Sequence, residues 1–360
     1  MSRAIALAAR ARHSTSPNPM VGAVIVQGDR VVGEGFHRHA GGPHAEVAAL
    51  RQAGTEARGA TLFVTLEPCN FQGRTGACSE AVVAAGIRRV VVAHRDPYAK
   101  VNGRGIKRMR DAGIEVVVGD GEREARDLNT AWIRAVAAGR PFVALKYAST
   151  LDGKTASSTG DSRWITGERA RAETHRLRAA YDAVVVGANT VLADDPQLNV
   201  RDTANPGGHG GRQPLRVVVD GRLRTDPAAR LHEVGEGGGS LVLAAGPAVA
   251  SRLARFTRLG VEVEVLESPQ PGGADLLGAL GRRGVSSVLV EGGGELAWSF
   301  AKAGLVDRVY AFFGPLMLGG RTAPTPVGGG GFDRLAGAVQ LEIVNVSRLG
   351  PDVLVEAVVA

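Results

Sequence analysis

The chain contains only two cysteines, Cys69 and Cys78, and a His-x-Glu unit, His44-Ala45-Glu46, lies upstream of them. One imidazole and two thiolates make three ligands of a tetrahedral zinc and leave the fourth position open to water. To use them, the chain must fold so that positions 44, 69 and 78 converge. Residues two apart on a helix point about 200° apart, so His44 and Glu46 can serve one metal only where a helix begins end-on to it. Gly41-Gly42-Pro43 breaks the chain just before His44, and His44 to Gln52 reads as that helix. Cys69 and Cys78 are too far apart for one helical turn, and Gly73 and Gly76 supply a loop to bring the sulfurs together. Cys78 is expected at the opening of a helix over Ser79 to Ala85, whose N-terminal dipole favours thiolate.

With the metal on three ligands, Glu46 is free to act as a proton shuttle, the layout of zinc deaminases that act on an aminated nucleobase ring. Those proteins commonly carry Pro-Cys-x-x-Cys, so the longer gap sets this chain apart from most cytidine and nucleic-acid deaminases. Two plainer readings compete. A Cys69–Cys78 disulfide is disfavoured because no secretory signal is evident and His-x-Glu lies upstream. A closed structural zinc needs a fourth ligand; with no third cysteine, only His37 or His39 would fill that place.

Three stretches carry a family resemblance: Pro17-Asn18-Pro19-Met20-Val21-Gly22-Ala23-Val24, Pro43-His44-Ala45-Glu46, and Thr65-Leu66-Glu67-Pro68-Cys69 continuing through Gly73-Arg74-Thr75 to Cys78. They resemble the deaminase domain of the bifunctional riboflavin-biosynthesis deaminase/reductase, in which the long cysteine gap is normal, and the resemblance runs over nearly the whole chain. It implies zinc on His44, Cys69 and Cys78, with Glu46 as the catalytic acid–base. It also implies that Asn18, His37, Arg74 and Asp96 contact a diamino-hydroxy-phosphoribosylamino-pyrimidine. One departure is visible: the family continues its Asp-Pro with Asn-Pro, whereas Asp96-Pro97 is followed here by Tyr98-Ala99. Asn102 lies nearby in sequence.

Length and composition agree with two enzymatic domains. At 360 residues the chain exceeds one ordinary domain, and 44% hydrophobic with 22% charged residues is globular composition. The apolar runs are too short to span a bilayer, and Met1 to Ala6 lacks a leader pattern, so a cytoplasmic protein with no membrane partner is expected. The net charge is +7. Residues 1–139 hold 19 Lys+Arg against 13 Asp+Glu, so the basic excess lies there. Nucleic acid would explain it, but no Lys/Arg run with interleaved aromatics appears, and a small phosphorylated substrate with a solvated basic face is preferred.

Strands alternate with helices, which reads as α/β in both halves. The first half offers strands at Val21–Val26, Arg30–Gly35, Thr61–Leu66, Arg89–Ala93 and Glu115–Val118. Its helices are expected at Arg3–Arg12, His44–Gln52, Ser79–Ala85, Ile106–Asp111 and Glu122–Ala138. Gly139-Arg140-Pro141 ends the last helix, so domains of 1–139 and 140–360 are expected. The second half offers strands at Phe142–Ala148, Ala183–Val186, Arg216–Val219, Ser240–Ala244, Val261–Val265, Ser287–Val290, Arg308–Phe313, Gln340–Val346 and Val353–Val358. Glycine-rich loops fall at Asn205–Gly211, Gly235–Gly239 and Gly328–Gly331, and no repeat relates the halves.

In the second half, Glu291-Gly292-Gly293-Gly294-Glu295 leaves a strand and opens a helix over Leu296–Ala303. Such a turn exposes backbone N–H groups to phosphate. No Gly-x-Gly-x-x-Gly opens the domain, which disfavours a standard Rossmann fold. Together with Lys146 to Lys154, Asp161 to Thr166 and Gly187 to Pro196, this segment resembles the reductase domain of the same family. The resemblance implies a cytidine-deaminase-like α/β/α domain followed by a dihydrofolate-reductase-like α/β domain, with NADPH as hydride donor. It carries Ala148, Trp164, Thr190, Asp194, Gly221 and the loop from Gly293, Gly294 and Glu295 to Ser299 to the cofactor. It carries Ser162, Arg178, Leu198, Arg201 and Glu291 to the substrate, and Arg178 and Arg201 suit a phosphate. A homo-oligomer is expected. The readings from other classes are a nucleic-acid deaminase with an appended domain, a binding protein with a closed zinc, and a protein with one live domain.

Overall fold

In the computed structural model the chain divides into two units, Met1–Gly139 and Arg140–Ala360. All residues are described except 12–13, 72–75, 202–212, 234–237 and 247–248. The loop Asn205–Gly211 and most of Gly235–Gly239 therefore lie outside the described residues.

The first unit is built on five strands: β1 (Gly22–Gln27), β2 (Arg30–Phe36), β3 (Thr61–Val64), β4 (Arg89–Val92) and β5 (Glu115–Val118). They lie in the order β2-β1-β3-β4-β5. β1 pairs antiparallel with both β2 and β3, whereas β3, β4 and β5 run parallel. The valine-rich β4 is buried along most of its length, as a strand covered on both faces requires. Six helices surround the sheet: α1 (Ser2–Ala9), α2 (Ala45–Ala53), α3 (Cys78–Ala84), α4 (Arg104–Asp111), α5 (Glu122–Leu128) and α6 (Thr130–Ala138).

The seat of α2 matters most, because it sets where His44 sits. Ala45, Ala49 and Ala53 are buried on its inner side. They face Gly33 and Gly35 of β2, where the helix backbone itself lies against the strand. A Cβ on Gly35 would stand 2.4 Å from the Ala45 carbonyl oxygen and 2.6 Å from the Ala49 nitrogen. Small residues on both sides let helix and strand approach to backbone contact.

The expected single helix Glu122–Ala138 is two helices, and the break has a local cause. Asn129 leaves helical geometry (φ −107°, ψ 17°). Its side-chain oxygen accepts from the Met20 N–H at 2.8 Å, and its amide donates to the Met20 carbonyl at 2.8 Å. A buried asparagine thus ties the chain before β1 to the start of α6, which redirects that helix.

The second unit carries nine strands in the order β10-β9-β8-β7-β11-β6-β12-β14-β13. They are β6 (Phe142–Thr150), β7 (Ala183–Gly187), β8 (Leu215–Val219), β9 (Ser240–Ala245), β10 (Glu262–Leu266), β11 (Ser287–Val290), β12 (Arg308–Gly314), β13 (Leu341–Leu349) and β14 (Asp352–Val359). Seven run parallel from β10 to β12, and β14 is antiparallel to both β12 and β13. The helices are α7 (Glu168–Ala180), α8 (Ala188–Asp194), α9 (Ala250–Arg258), α10 (Gly273–Arg282) and α11 (Gly294–Lys302). β11 returns late in the chain to fill the slot between β7 and β6. The strand order reverses there, and a crevice forms beyond the carboxyl ends of such strands. No helix among the described residues is long and apolar enough to cross a membrane.

Gly35→Ala should lower the thermal midpoint by several degrees. The added methyl has no room, and overpacking of this kind costs about 1–3 kcal/mol. Thermal denaturation followed by circular dichroism reads the shift.

Candidate functional site

His44 is the N-cap of α2, with extended backbone (φ −70°, ψ 160°), so its imidazole leaves the helix end rather than its side. Cys78 is the first residue of α3. Cys69 reaches it across the loop because the Cys78 N–H points at the Cys69 sulfur (3.4 Å) and the Ser79 N–H donates to the Cys69 carbonyl (3.0 Å). A third clip runs from the Ser79 hydroxyl to Asn70 Oδ1 (2.8 Å). The His44 Nδ1 atom is 3.1 Å from Cys78 Sγ and 3.7 Å from Cys69 Sγ, and all three donors lie within 4.8 Å of one another.

The charge pattern of the triad fits a dication. A hydrogen bond from Cys78 holds the Cys69 thiol down to about 4, while Cys69 and burial push Cys78 far above the thiol range. Two adjacent thiols resist ionising together, and a dication among them would let both ionise. His37 does not join the triad: its Nδ1 faces the Pro43 carbonyl at 3.0 Å and its Nε2 faces Asn18 Nδ2 at 3.0 Å. No donor beyond the three is grouped with them among the described residues, and both cysteines are free of disulfide.

A cavity of about 520 Å³ opens beside the triad. Its lining brings together Asn18, His37, His44, Glu46, Cys69 and Asp96. Glu46 sits in the first turn of α2 and is 3% exposed; burial first, and then the charge on Cys69, raise its carboxyl to about 7. Asp96 is also raised to about 7, chiefly by burial. Arg74 lies outside the described residues.

The sequence reading missed several parts of this wall. Trp132 and Val136 of α6 line the cavity, as do Phe71 and Tyr98. The rings of Phe71 and Tyr98 meet edge-on at 6.4 Å, so the tyrosine at the departure from the family pattern stands in the cavity itself. Glu67 holds the adjoining loop. Its carboxylate accepts from the N–H groups of Asp96 (3.3 Å), Gly103 (2.9 Å), Gly105 (2.9 Å) and Ile106 (3.2 Å). The last of these lie at the start of α4, where a carboxylate is favoured. Only its place in the motif beside Pro68-Cys69 hinted at Glu67, and nothing local in the sequence reveals the fold of α6 onto the cavity.

In the second unit a cleft of about 620 Å³ lies at the ends of β7 and β8 and the start of α11. Gly221, Gly293, Gly294 and Glu295 line it, with Ser299 behind them. The turn before α11 carries Gly292 at φ 144° and Gly293 at φ 87°, a backbone that side chains other than glycine's rarely tolerate. Ala148, Trp164, Thr190 and Asp194 are not among the residues lining this cleft. Thr190 packs beside the turn, its hydroxyl 3.1 Å from where a Cβ on Gly292 would stand. Trp164 is 68% exposed, so it is no core tryptophan, and the Arg171 guanidinium lies 4.5 Å from its ring centre. The Asp194 carbonyl accepts from Arg163 at 2.8 Å.

Of the expected substrate residues, Arg178 and Glu291 meet each other. Arg178 grips the Glu291 carboxylate through Nε and Nη2 at 2.7 and 2.9 Å, and its Nη1 donates to the Asn199 carbonyl at 3.1 Å. This buried pair leaves the Arg178 fork engaged by protein, where the sequence suggested a phosphate ligand. Lys146 of β6, which the sequence reading gave no role, stands 3.9 Å from Glu291, and burial lowers its pKa. Leu198 is buried with φ 53°, Ser162 is half-buried, and Arg201 is exposed beside Gln197.

The donor triad, its cavity and the strand-end cleft define a zinc-binding deaminase unit followed by a reductase unit. Residues 1–94 match the cytidine and deoxycytidylate deaminase zinc-binding region, and residues 141–355 match the RibD C-terminal domain. The chain belongs to the riboflavin biosynthesis protein RibD family. It is similar to the riboflavin biosynthesis protein RibD of Bacillus amyloliquefaciens, at 40% identity over 99% of this chain and 95% of that one. Among solved structures it is similar to Acinetobacter baumannii RibD, with a TM-score of 0.89 and 39% identity over 100% of this chain and 97% of that one. A diaminohydroxyphosphoribosylaminopyrimidine deaminase/5-amino-6-(5-phosphoribosylamino)uracil reductase from Thermotoga maritima matches with a TM-score of 0.86 and 38% identity, covering 100% and 97% of the two chains.

One donor set implies about one zinc per chain. Cys69→Ser and Cys78→Ser should each lose zinc, measured by metal analysis after dialysis; full occupancy in both would remove the cysteines from the ligand set.

Proposed function

We propose that the chain is a bifunctional enzyme of riboflavin biosynthesis. It hydrolyses the amino group from 2,5-diamino-6-ribosylamino-4(3H)-pyrimidinone 5′-phosphate. It then reduces the ribosyl side chain to ribityl with NADPH, giving 5-amino-6-ribitylaminouracil 5′-phosphate. The observation that carries this is the convergence of His44, Cys69 and Cys78 on one another, beside a cavity lined by His44, Cys69 and the buried Glu46. The Thermotoga maritima relative, a diaminohydroxyphosphoribosylaminopyrimidine deaminase/reductase by name, supports the substrate.

In the deaminase unit, His44, Cys69 and Cys78 hold zinc. When bound, zinc supplies Lewis-acid activation of water near neutral pH. Asn18, His37 and Asp96 orient the pyrimidine, and Asn18 steadies His37 through Nε2. Glu46 takes a proton from the attacking water on its carboxylate and returns it to the amino nitrogen, which leaves as ammonia. Phe71, Tyr98 and Trp132 give the ring an apolar wall.

In the reductase unit, the N–H groups of the Gly292–Gly294 turn and the start of α11 would hold the phosphates of NADPH. When bound, NADPH supplies the hydride. Glu291 faces the substrate, held by Arg178 and neighboured by Lys146. Ala148, Trp164, Thr190 and Asp194, outside the cleft lining, would complete the cofactor site, and Ser162, Leu198 and Arg201 the substrate side. The same reading places the enzyme in the cytoplasm as a homo-oligomer that takes no nucleic acid. The edge strand β13, with Ile343 and Val346 about 60% exposed, supports assembly.

Zinc-loaded protein supplied with the phosphoribosylamino-pyrimidine tests the reading, with ammonia release and NADPH oxidation followed separately. Ammonia release without NADPH oxidation would leave only one live unit. Glu46→Gln should keep zinc but slow ammonia release by on the order of 10²–10⁴, the usual scale for a general acid–base group. The same variant should still reduce the deaminated intermediate supplied directly. Gly293→Val should weaken NADPH binding while sparing deamination, because a branched side chain obstructs phosphate approach at the turn.

A further inference from the structure

The reductase cleft has two chemically different ends. At the Gly293–Glu295 end the donors are main-chain N–H groups, which suit the pyrophosphate common to NADH and NADPH and cannot tell the two apart. At the other end, the segment after β8 brings Asp220, Gly221, Arg222 and Arg224 into the lining. A carboxylate at the end of such a strand is the group that accepts from a free ribose 2′-hydroxyl, whereas an arginine accommodates a 2′-phosphate.

Here the carboxylate is turned inward. Asp220 is 1% exposed, and its Oδ2 accepts from the Thr225 N–H at 2.7 Å and the Thr225 hydroxyl at 2.9 Å. That clasp closes the turn, with Leu223 and Thr225 buried and Arg222 and Arg224 exposed between them. The Arg222 main chain is pinned by Arg252, whose Nη1 donates to the Arg222 carbonyl at 2.9 Å. Among the described residues the Arg222 guanidinium makes no hydrogen bond or ion pair. Arg224 uses Nη2 on Asn189 Oδ1 (2.8 Å), which aims it across the cleft towards α8 and leaves its other N–H donors. The second carboxylate in the lining, Glu295, accepts from the Gly329 N–H at 3.0 Å.

We propose that Arg222 and Arg224 read the 2′-phosphate of the dinucleotide and make the cleft select NADPH over NADH. The proposal rests on the cleft being a nicotinamide site, as above. Two guanidinium forks suit a group carrying close to two negative charges, and the carboxylate beside them, Asp220, is buried and engaged by Thr225 rather than turned outward to receive a 2′-hydroxyl.

Titration calorimetry of the full-length, zinc-loaded protein with NADPH and NADH tests this without turnover. The wild type should bind NADPH more tightly. Arg222→Gln and Arg224→Gln should each weaken NADPH on the order of 10- to 100-fold, the scale of a lost hydrogen-bonded charge pair, and leave NADH nearly unchanged. The double variant should bind the two dinucleotides alike, and Arg→Lys variants should fall between, since lysine keeps the charge but lacks the fork. Thermal midpoints and zinc contents near those of the wild type guard against misfolding. Equal weakening of both dinucleotides, unchanged NADPH affinity in all variants, or a wild type that prefers NADH would each overturn the assignment of these arginines while leaving the cleft a nicotinamide site. A wild type that binds neither dinucleotide would overturn the reading of the cleft itself.

Discussion

One buried carboxylate organises the wall of the deaminase cavity. Glu67 gathers four main-chain N–H groups from the segment between Asp96 and Ile106, and it lies two residues before Cys69. Hydrogen bonds to a charged acceptor contribute about 1.5–3 kcal/mol each, and donors left unpaired in a buried loop cost a comparable amount. Asp96, Tyr98 and the start of α4 therefore take their positions relative to the metal ligands from this one group. Side chains that line the cavity are thus placed by a residue whose own carboxylate is occupied by main-chain N–H groups.

The two units build their candidate sites in opposite ways. The first presents side chains, His44 and Cys78, where helices begin. The second presents main chain, the glycine turn before α11, and reserves side-chain charge for the far end of the cleft. The metal site is constrained by the chemistry of its donor side chains. The cleft is constrained instead by backbone conformation at Gly292 and Gly293.

Much of this was legible in the sequence because the relevant signals are local. Apolar runs marked the strands, Gly41-Gly42-Pro43 marked the entry to α2, and the spacing of His44, Cys69 and Cys78 named the metal. Long-range contacts were not legible. The break at Asn129 depends on Met20, more than a hundred residues earlier, and a run such as Glu122–Ala138 has uninterrupted helical composition. Arg178 read as a phosphate ligand because its partner, Glu291, follows a distant strand, β11. The lining by Trp132 follows from the same hidden break, since the helix would not turn inward without it.

That break also sets how large a self-sufficient deaminase module must be. The zinc-binding region accounts for residues 1–94, yet the cavity is finished by Trp132 and Val136, contributed by the helix that runs up to Gly139. A designer who grafts the catalytic motifs onto another scaffold, or trims the unit after β5, would carry over every metal ligand and leave one side of the substrate chamber open to solvent. The segment that looks like a linker to the reductase is part of the vessel in which the first reaction runs.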